Sequence, residues 1–188
     1  MSGDRIRCAW ANGAPEYAAY HDEEWGTPLH GDDALFERIC LEAFQSGLSW
    51  ITILRKRPAF RAAFAGFSID AVAAFTAGDE ARLLADAGIV RNRAKVAAAI
   101  ANARAAQQQP EGLSALLWSF APGEPRPRPA TIAEVPATSP ESVAMAKELK
   151  RRGFVFVGPT TAYALMQATG MVDDHVADCF RAAPARAT

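Results

Sequence analysis

Cysteine is scarce, with three in 188 residues. So small and odd a number excludes a disulfide framework and points to a reducing compartment, making the cytoplasm the expected location. Long apolar runs are missing altogether. No stretch approaches the roughly 20 residues needed to cross a bilayer, and Met1 to Cys8 lacks the basic-then-apolar layout of a secretory leader. No membrane partner is expected. An excess of charge is missing too: 20 Lys and Arg face 21 Asp and Glu, a net charge of −1 that gives no overall pull toward a polyanion. Strand-like alternation is nearly absent, Phe154–Val157 being the one short candidate, flanked by glycines. No internal repeat is visible. What remains is a chain that is 50% apolar and long enough to bury a core. One all-α domain over residues 1–188, with room for two helical lobes, is expected.

Helical spacing fills most of that domain. Asp32 or Asp33 can cap a helix whose Leu35, Phe36, Ile39, Cys40, Ala43 and Phe44 recur at three and four, with Gly47 ending it. Ser49 starts the next, through Trp50, Ile51, Ile53 and Leu54. Pro58 suits the first turn of a further helix reaching about Phe64. Asp79 is placed as the cap of a short segment ending at Gly88, and the longest helix runs from about Arg91 to Gln108. The proline-dense residues 121–138 read as an ordered connector. Cys40 and Trp118 read as core.

Charge is unevenly spread. Residues 1–50 carry nine acidic residues and three arginines, whereas Arg55-Lys56-Arg57-x₃-Arg61, Arg91-Asn92-Arg93-x-Lys95 and Lys147-x₂-Lys150-Arg151-Arg152 are concentrated basic stretches. They can present phosphates with a basic face or simply be solvated helix surfaces. Both readings stay open.

Toward the C-terminus, Ser139-Pro140-Glu141 opens a helix that closes on Arg151-Arg152, with Gly153 at its C-cap. The hairpin Gly153-Phe154-Val155-Phe156-Val157-Gly158-Pro159 follows, and then a helix through Thr160 and Thr161 to Gly170. The first amides of that second helix are unpaired, and a glycine lets backbone approach closely, which makes a ready anion site. Residues 140–169 thus resemble a helix-hairpin-helix element that grips DNA through phosphates without reading bases. A plain tight turn is the alternative.

His175 and Cys179 stand four residues apart, which on a helix would put both side chains on one face. With Cys8 and His21 they make a Cys₂His₂ set. Four such ligands fill a tetrahedral zinc site and leave no place for a catalytic water, so one structural Zn²⁺ tying the two chain ends together is expected.

The stretches Tyr17-x₂-Tyr20-His21-Asp22-x-Glu24-Trp25-Gly26, Cys40-Leu41-Glu42-x₂-Gln45-x-Gly47-Leu48-Ser49-Trp50, Arg152-Gly153-Phe154-x-Phe156-Val157-Gly158 and Asp174-His175-Val176-x₂-Cys179 resemble the 3-methyladenine DNA glycosylase I family. The likeness runs from about Cys8 to Cys179. It implies the helix-hairpin-helix glycosylase fold, zinc on Cys8, His21, His175 and Cys179, and a base pocket lined by Tyr20, Glu42 and Trp50. The expected substrate is double-stranded DNA containing alkylated adenine, the expected product free 3-methyladenine, and the expected state a monomer.

The residues agree with that chemistry. An enzyme acting on a base must rotate it out of the stack and hold it by stacking and edge hydrogen bonds. Tyr20 and Trp50, with Trp10 and Tyr17 nearby, supply rings, and electron-rich rings favour a cationic purine. Glu42 at the edge of an apolar stripe is either an acceptor for the flipped base or a surface carboxylate. Phe44 either shapes the pocket or packs.

A Schiff-base lysine two residues beyond the hairpin glycine is lacking, since Pro159 and Thr160 follow Gly158. Hydrolysis by water, leaving an abasic site, is therefore expected. Asp173 stands where related enzymes carry a catalytic carboxylate, or else caps a helix bearing His175 and Cys179. Gly153, Gly158, Thr160 and Thr161 are the expected backbone-contacting residues. Two rivals remain: a DNA-binding module without chemistry, and a zinc hydrolase with an open ligand position.

Overall fold

A computed structural model describes residues 5–181; the leader-free reading of the N-terminus rests partly on residues outside that range. The described residues contain helices and turns and no strand, as the scarcity of alternation predicted. The α-helices are α1 (Pro15–Glu23), α2 (Asp32–Gln45), α3 (Trp50–Ala63), α4 (Ile69–Ala73), α5 (Ala77–Ala85), α6 (Arg93–Gln107), α7 (Leu113–Trp118), α8 (Pro140–Arg151) and α9 (Pro159–Ala168). Short 3₁₀ turns lie at Ala9–Gly13, Ala65–Phe67 and Ile132–Glu134. Among the described residues no helix is long and apolar enough to cross a membrane.

Local chemistry sets most boundaries. Ser139 and Ser142 cap α8 reciprocally, each side chain accepting from the other's backbone N–H, and Pro140 takes the first helical position. Gly153, at φ +91°, ends α8 while Phe154 N donates back to the Leu149 carbonyl at 2.9 Å. Asn92 caps α6 through Lys95 N.

Three expectations need correction. Thr76, not Asp79, caps α5; Asp79 is its third residue and accepts from the Thr76 N–H and hydroxyl. Pro58 lies inside an unbroken α3 rather than at a helix start, so the Leu54 carbonyl forgoes its partner. His175 and Cys179 lie in an irregular segment rather than on a helix. There the Asp173 carboxylate accepts from His175 N at 3.2 Å, an Asx turn that diverts the backbone from helical geometry.

The main core gathers the apolar stripe of α2 against α3, α6 and α9. Phe44 is fully buried in it, 4.7 Å from Phe60 and 5.8 Å from Phe64 between ring centroids, so it packs and does not shape a pocket. Truncating such a ring to Ala costs about 3–5 kcal/mol. Cys40 is core as well. Trp118 is half-buried at the core's edge, its Nε1 donating to the Leu29 carbonyl and its ring stacked on His30. A second cluster joins Cys8, Tyr20, Trp25, Leu54, Ala168, Val176 and Cys179, bringing the two ends of the chain to the inner end of one cavity.

Candidate active site

That cavity, of about 560 Å³, is walled by Trp10, Tyr17, Tyr20, Trp25 and Trp50, with Glu42 and Gln45 of α2 and Ala164 and Gln167 of α9. One helix, α1, supplies both tyrosines three residues apart, hence on one face. The rings brace one another: Trp10 meets Tyr17 edge-on at 6.0 Å and Trp25 at 5.2 Å, and Tyr20 meets Trp50 at 5.4 Å. The Tyr17 hydroxyl accepts from Ile51 N, fixing α1 to the start of α3. Ile132 and Val135 close the outer rim. They come from the segment read as a connector, whose prolines concealed two lining residues.

Glu42 is the one acid of the wall. It is 6% exposed, and among the described residues its carboxylate makes no hydrogen bond. Burial pushes its pKa up to about 7, against the opposing field of Arg38 one turn away. Arg38 is buried behind the wall, bonded to Glu24 and 5.5 Å from the Tyr20 ring, while Arg57 clamps the same Glu24 through two bonds of 2.7 Å. Trp50 Nε1 is buried without a partner among the described residues. The cavity therefore offers flat π faces and one carboxylate able to accept. Burying polar groups unpaired costs free energy, and a ligand carrying the matching groups recovers it.

Behind the wall lie the predicted metal ligands. Atoms of Cys8, His21 and Cys179 fall within 4.8 Å of one another, with His21 Nε2 3.3 Å from Cys179 Sγ. His175 sits just outside that trio, its ring centroid 5.0 Å from that of His21. Each imidazole gives Nδ1 to a carboxylate at 2.9 Å, His21 to Asp22 and His175 to Asp173. His21 Nε2 accepts from Cys8 N at 3.4 Å and lies beside Cys179 Sγ, whereas His175 Nε2 is buried with no partner among the described residues. Carboxylates behind histidines in this manner are the usual outer support of a metal centre. Gly26, at φ +75°, is kept small by this site, since a Cβ there would stand 2.5 Å from His175 Cε1.

Asp173 does not line the cavity. Besides His175 it binds Arg128. Its neighbour Asp174, buried, accepts from Tyr163 and Gln167, and so fixes the Gln167 side chain of the wall.

At the start of α9, Gly158 is the N-cap and makes no side-chain cap bond, so the first-turn amides of Thr160 and Thr161 have no helical partner. Thr160, Ala164 and Gln167 follow one another on one face, so the helix whose first-turn amides are unpaired in the helix lines the cavity about 10 Å further along. The basic stretches divide. Arg55, Arg57 and Arg61 pair with Glu16, Glu24 and Glu37, and Lys56 binds the carbonyls of Ala87 and Gly88. Arg151 and Arg152 share Glu148. Arg91, Lys147 and Lys150 are exposed cations without an ion pair among the described residues.

The fold and cavity define an all-helical protein with a ring-walled cavity that carries one buried carboxylate. The chain belongs to the methyladenine glycosylase family, whose pattern matches residues 10–182. It is 48% identical over 177 residues to DNA-3-methyladenine glycosylase 1 of Escherichia coli (strain K12), covering 92% of this chain and 95% of that one. A crystal structure of 3-methyladenine DNA glycosylase I superposes with a TM-score of 0.89 at 47% identity, over 94% of this chain and 99% of the other. A second, of a tyrosine-to-phenylalanine variant in complex with 3-methyladenine, superposes with a TM-score of 0.86 at 35% identity, over 92% and 95%.

Proposed function

We propose that this chain is a monofunctional DNA glycosylase of base-excision repair that hydrolyses the N-glycosidic bond of 3-methyladenine in double-stranded DNA. The observation that carries the reading is Glu42, a buried carboxylate without a hydrogen bond among the described residues, facing a cavity otherwise walled by rings.

A 3-methylated adenine still attached to deoxyribose is cationic. Stacked against Tyr20 and Trp50 it gains cation–π attraction that neutral adenine does not, worth up to about 2 kcal/mol when desolvated. Trp10 and Tyr17 hold those rings in place. Glu42 accepts a hydrogen bond from the base edge and sets a negative charge beside the positive ring, a charge-assisted bond of the stronger kind. Cleavage neutralises the base, so it leaves without strong acid catalysis. The protein's contribution is positioning and electrostatic support of the oxocarbenium-like sugar while water attacks.

With Pro159 and Thr160 following Gly158, no lysine stands in the hairpin to form a Schiff base. Asp173 was the other candidate catalytic group. Its engagement by His175 and Arg128, away from the cavity lining, favours an anchoring role. The α8–α9 hairpin is the helix-hairpin-helix element, gripping the strand through Gly153, Gly158 and the amides of Thr160 and Thr161.

Cys8, His21, His175 and Cys179 would hold one zinc ion as a staple. Such an ion supplies a structural tie, and no step passes through it.

Base release from methylated duplex DNA by wild type and by Glu42→Ala tests the reading. Wild type should liberate 3-methyladenine, and the variant should be slower by about 30- to 150-fold, the loss of one charged contact worth about 2–3 kcal/mol. A wild type that binds the duplex and leaves the base attached would make the chain a DNA-binding module.

A further inference from the structure

Two exposed turns, one between cavity-lining residues and one at the tip of the α8–α9 hairpin, are both held by one helix, α6. The first, Ser46–Ser49, joins Gln45 to Trp50, both of which line the cavity, and carries Leu48 39% exposed. The second is the tip of the α8–α9 hairpin, where Val155 and Phe156 are 42% and 46% exposed and Phe156 has φ +59°. Phe154 and Val157 root the hairpin in the main core, and Gln45 and Leu48 bond each other across the first turn, but the exposed part of each turn is also held by a buried polar side chain of α6.

Lys95, 8% exposed, extends its ammonium to the carbonyls of Phe44 and Ser46 at 2.8 and 2.6 Å, the last acceptors of α2 and its turn. Asn102, 1% exposed, brackets Val155, donating to its carbonyl at 3.0 Å and accepting from its N–H at 2.8 Å. The two residues are seven apart on one helix. They therefore share a face and stand about 10 Å apart along a rod that cannot stretch.

We infer that Lys95 and Asn102 are positioning residues that make α6 a spacer, holding the cavity-rim turn and the strand-gripping hairpin at a fixed separation so that one duplex meets both. This rests on the glycosylase reading above. Because the Val155 N–H is spent on Asn102, phosphate is left to the amides beyond it, and Asn102 sets where those amides point. Losing either hold lets one turn drift relative to the other. That weakens capture of duplex without altering the wall that receives the free base.

Base-release kinetics on methylated duplex DNA, tryptophan-quenching titration with free 3-methyladenine, and thermal unfolding by circular dichroism test this on Lys95→Met, Asn102→Ala and the double variant. Each single change should raise KM for duplex about tenfold, with kcat and free-base affinity within about twofold of wild type. Residues about 10 Å apart without shared partners ordinarily contribute independently, so two unrelated lesions would multiply to about 100-fold. A spacer predicts otherwise: once either end is free the separation is already lost, and the double variant should stay near the worse single one.

Unchanged KM, multiplied losses, or free-base affinity falling in parallel with KM would each overturn the inference. Should Asn102→Ala or Lys95→Met not fold, Asn102→Asp, still an acceptor for Val155, and Lys95→Gln carry the same comparison. A wild type inert on methylated DNA would count against the proposed function instead.

Discussion

Glu42 places a cost on the folded state that a binding residue is expected to carry. A carboxyl whose pKa stands near 7 in the native protein and near 4.5 in the unfolded chain holds, between those values, a proton that the unfolded chain has released. Stability contributed by this group is full below about pH 4.5 and declines as pH rises toward 7. Above 7 the native state bears the whole cost of an ionised buried carboxylate, roughly 3 kcal/mol by the size of the shift. Glu42→Gln keeps the shape and removes the titration. It should unfold at a higher temperature than wild type at pH 8, by a margin that shrinks toward pH 5. Base release should show the opposite sign: wild-type turnover falls as pH drops below about 7, where Glu42 takes up a proton and loses its charge, and Glu42→Gln should be slow at every pH. Melting curves and single-turnover rates at matched pH check both halves. A Tm gap that does not change with pH would separate Glu42 from the cost assigned to it.

At the scale of elements, what could be read from the sequence followed capping chemistry. Ser139-Pro140 and Gly153 delimited α8, Ser49 opened α3, and the alanine-rich run gave α6 almost to its ends. Each is a local signal with a local cause. The misreadings had distant or competing causes. Asp79 has the chemistry of a cap but serves Thr76, and the Asx turn at Asp173 overrode the four-residue spacing that suggested a helix for His175 and Cys179. That Cys8, His21 and Cys179 come together was legible as a candidate set, and the backbone around His175 and Cys179 was not. The short α4 and α7 were missed because five or six residues show too little periodicity, and Ile132 and Val135 were missed because a rim residue on a loop has no period at all.

Gly170 belongs with the features no pattern reveals. It has φ +71°, and a Cβ there would meet Pro28 N at 2.6 Å and the Thr27 carbonyl carbon at 2.7 Å. These are backbone atoms, in a segment that Gly26 N and Leu29 N tie to the carbonyls of Gln167 and Thr169. Gly170→Ala therefore has neither a suitable φ nor space, and should destabilise by about 2–4 kcal/mol, measured as the loss of unfolding free energy in urea. Gly47, also at positive φ but with open space around it, should bear the same change at about 1 kcal/mol. Equal costs at the two positions would mean that backbone conformation alone, and not crowding against residues 26–28, sets the penalty.

Across the whole molecule, the chain ends and the base cavity form one construction. Cys8 lies two residues before Trp10, and His21 follows Tyr20 directly, so the ligand cluster and the aromatic wall are carried on the same short segments. Trp25 links them, its ring 5.2 Å from Trp10 on the cavity side and 4.6 Å from His175 on the other. A zinc ion on Cys8, His21, His175 and Cys179 would close a loop spanning most of the chain, which in a cross-link of that length removes roughly 4–5 kcal/mol of unfolded-state freedom. Stripping metal with a chelator should therefore lower Tm and, through loosening of Trp10 and Tyr20, weaken free 3-methyladenine binding in the same titration, with both restored by added Zn²⁺. Cys8→Ala and Cys179→Ala should each reproduce the effect, and the double variant should add little, since one missing ligand already opens the staple. The sign of the activity change separates this from a catalytic ion. A staple loses turnover only as fold and base affinity are lost, whereas a catalytic metal would give a chelated protein of unchanged Tm and unchanged base affinity that no longer cleaves. The paired imidazole–carboxylate contacts behind His21 and His175, together with the gathering of Cys8, His21 and Cys179 with His175 beside them, argue for the first outcome.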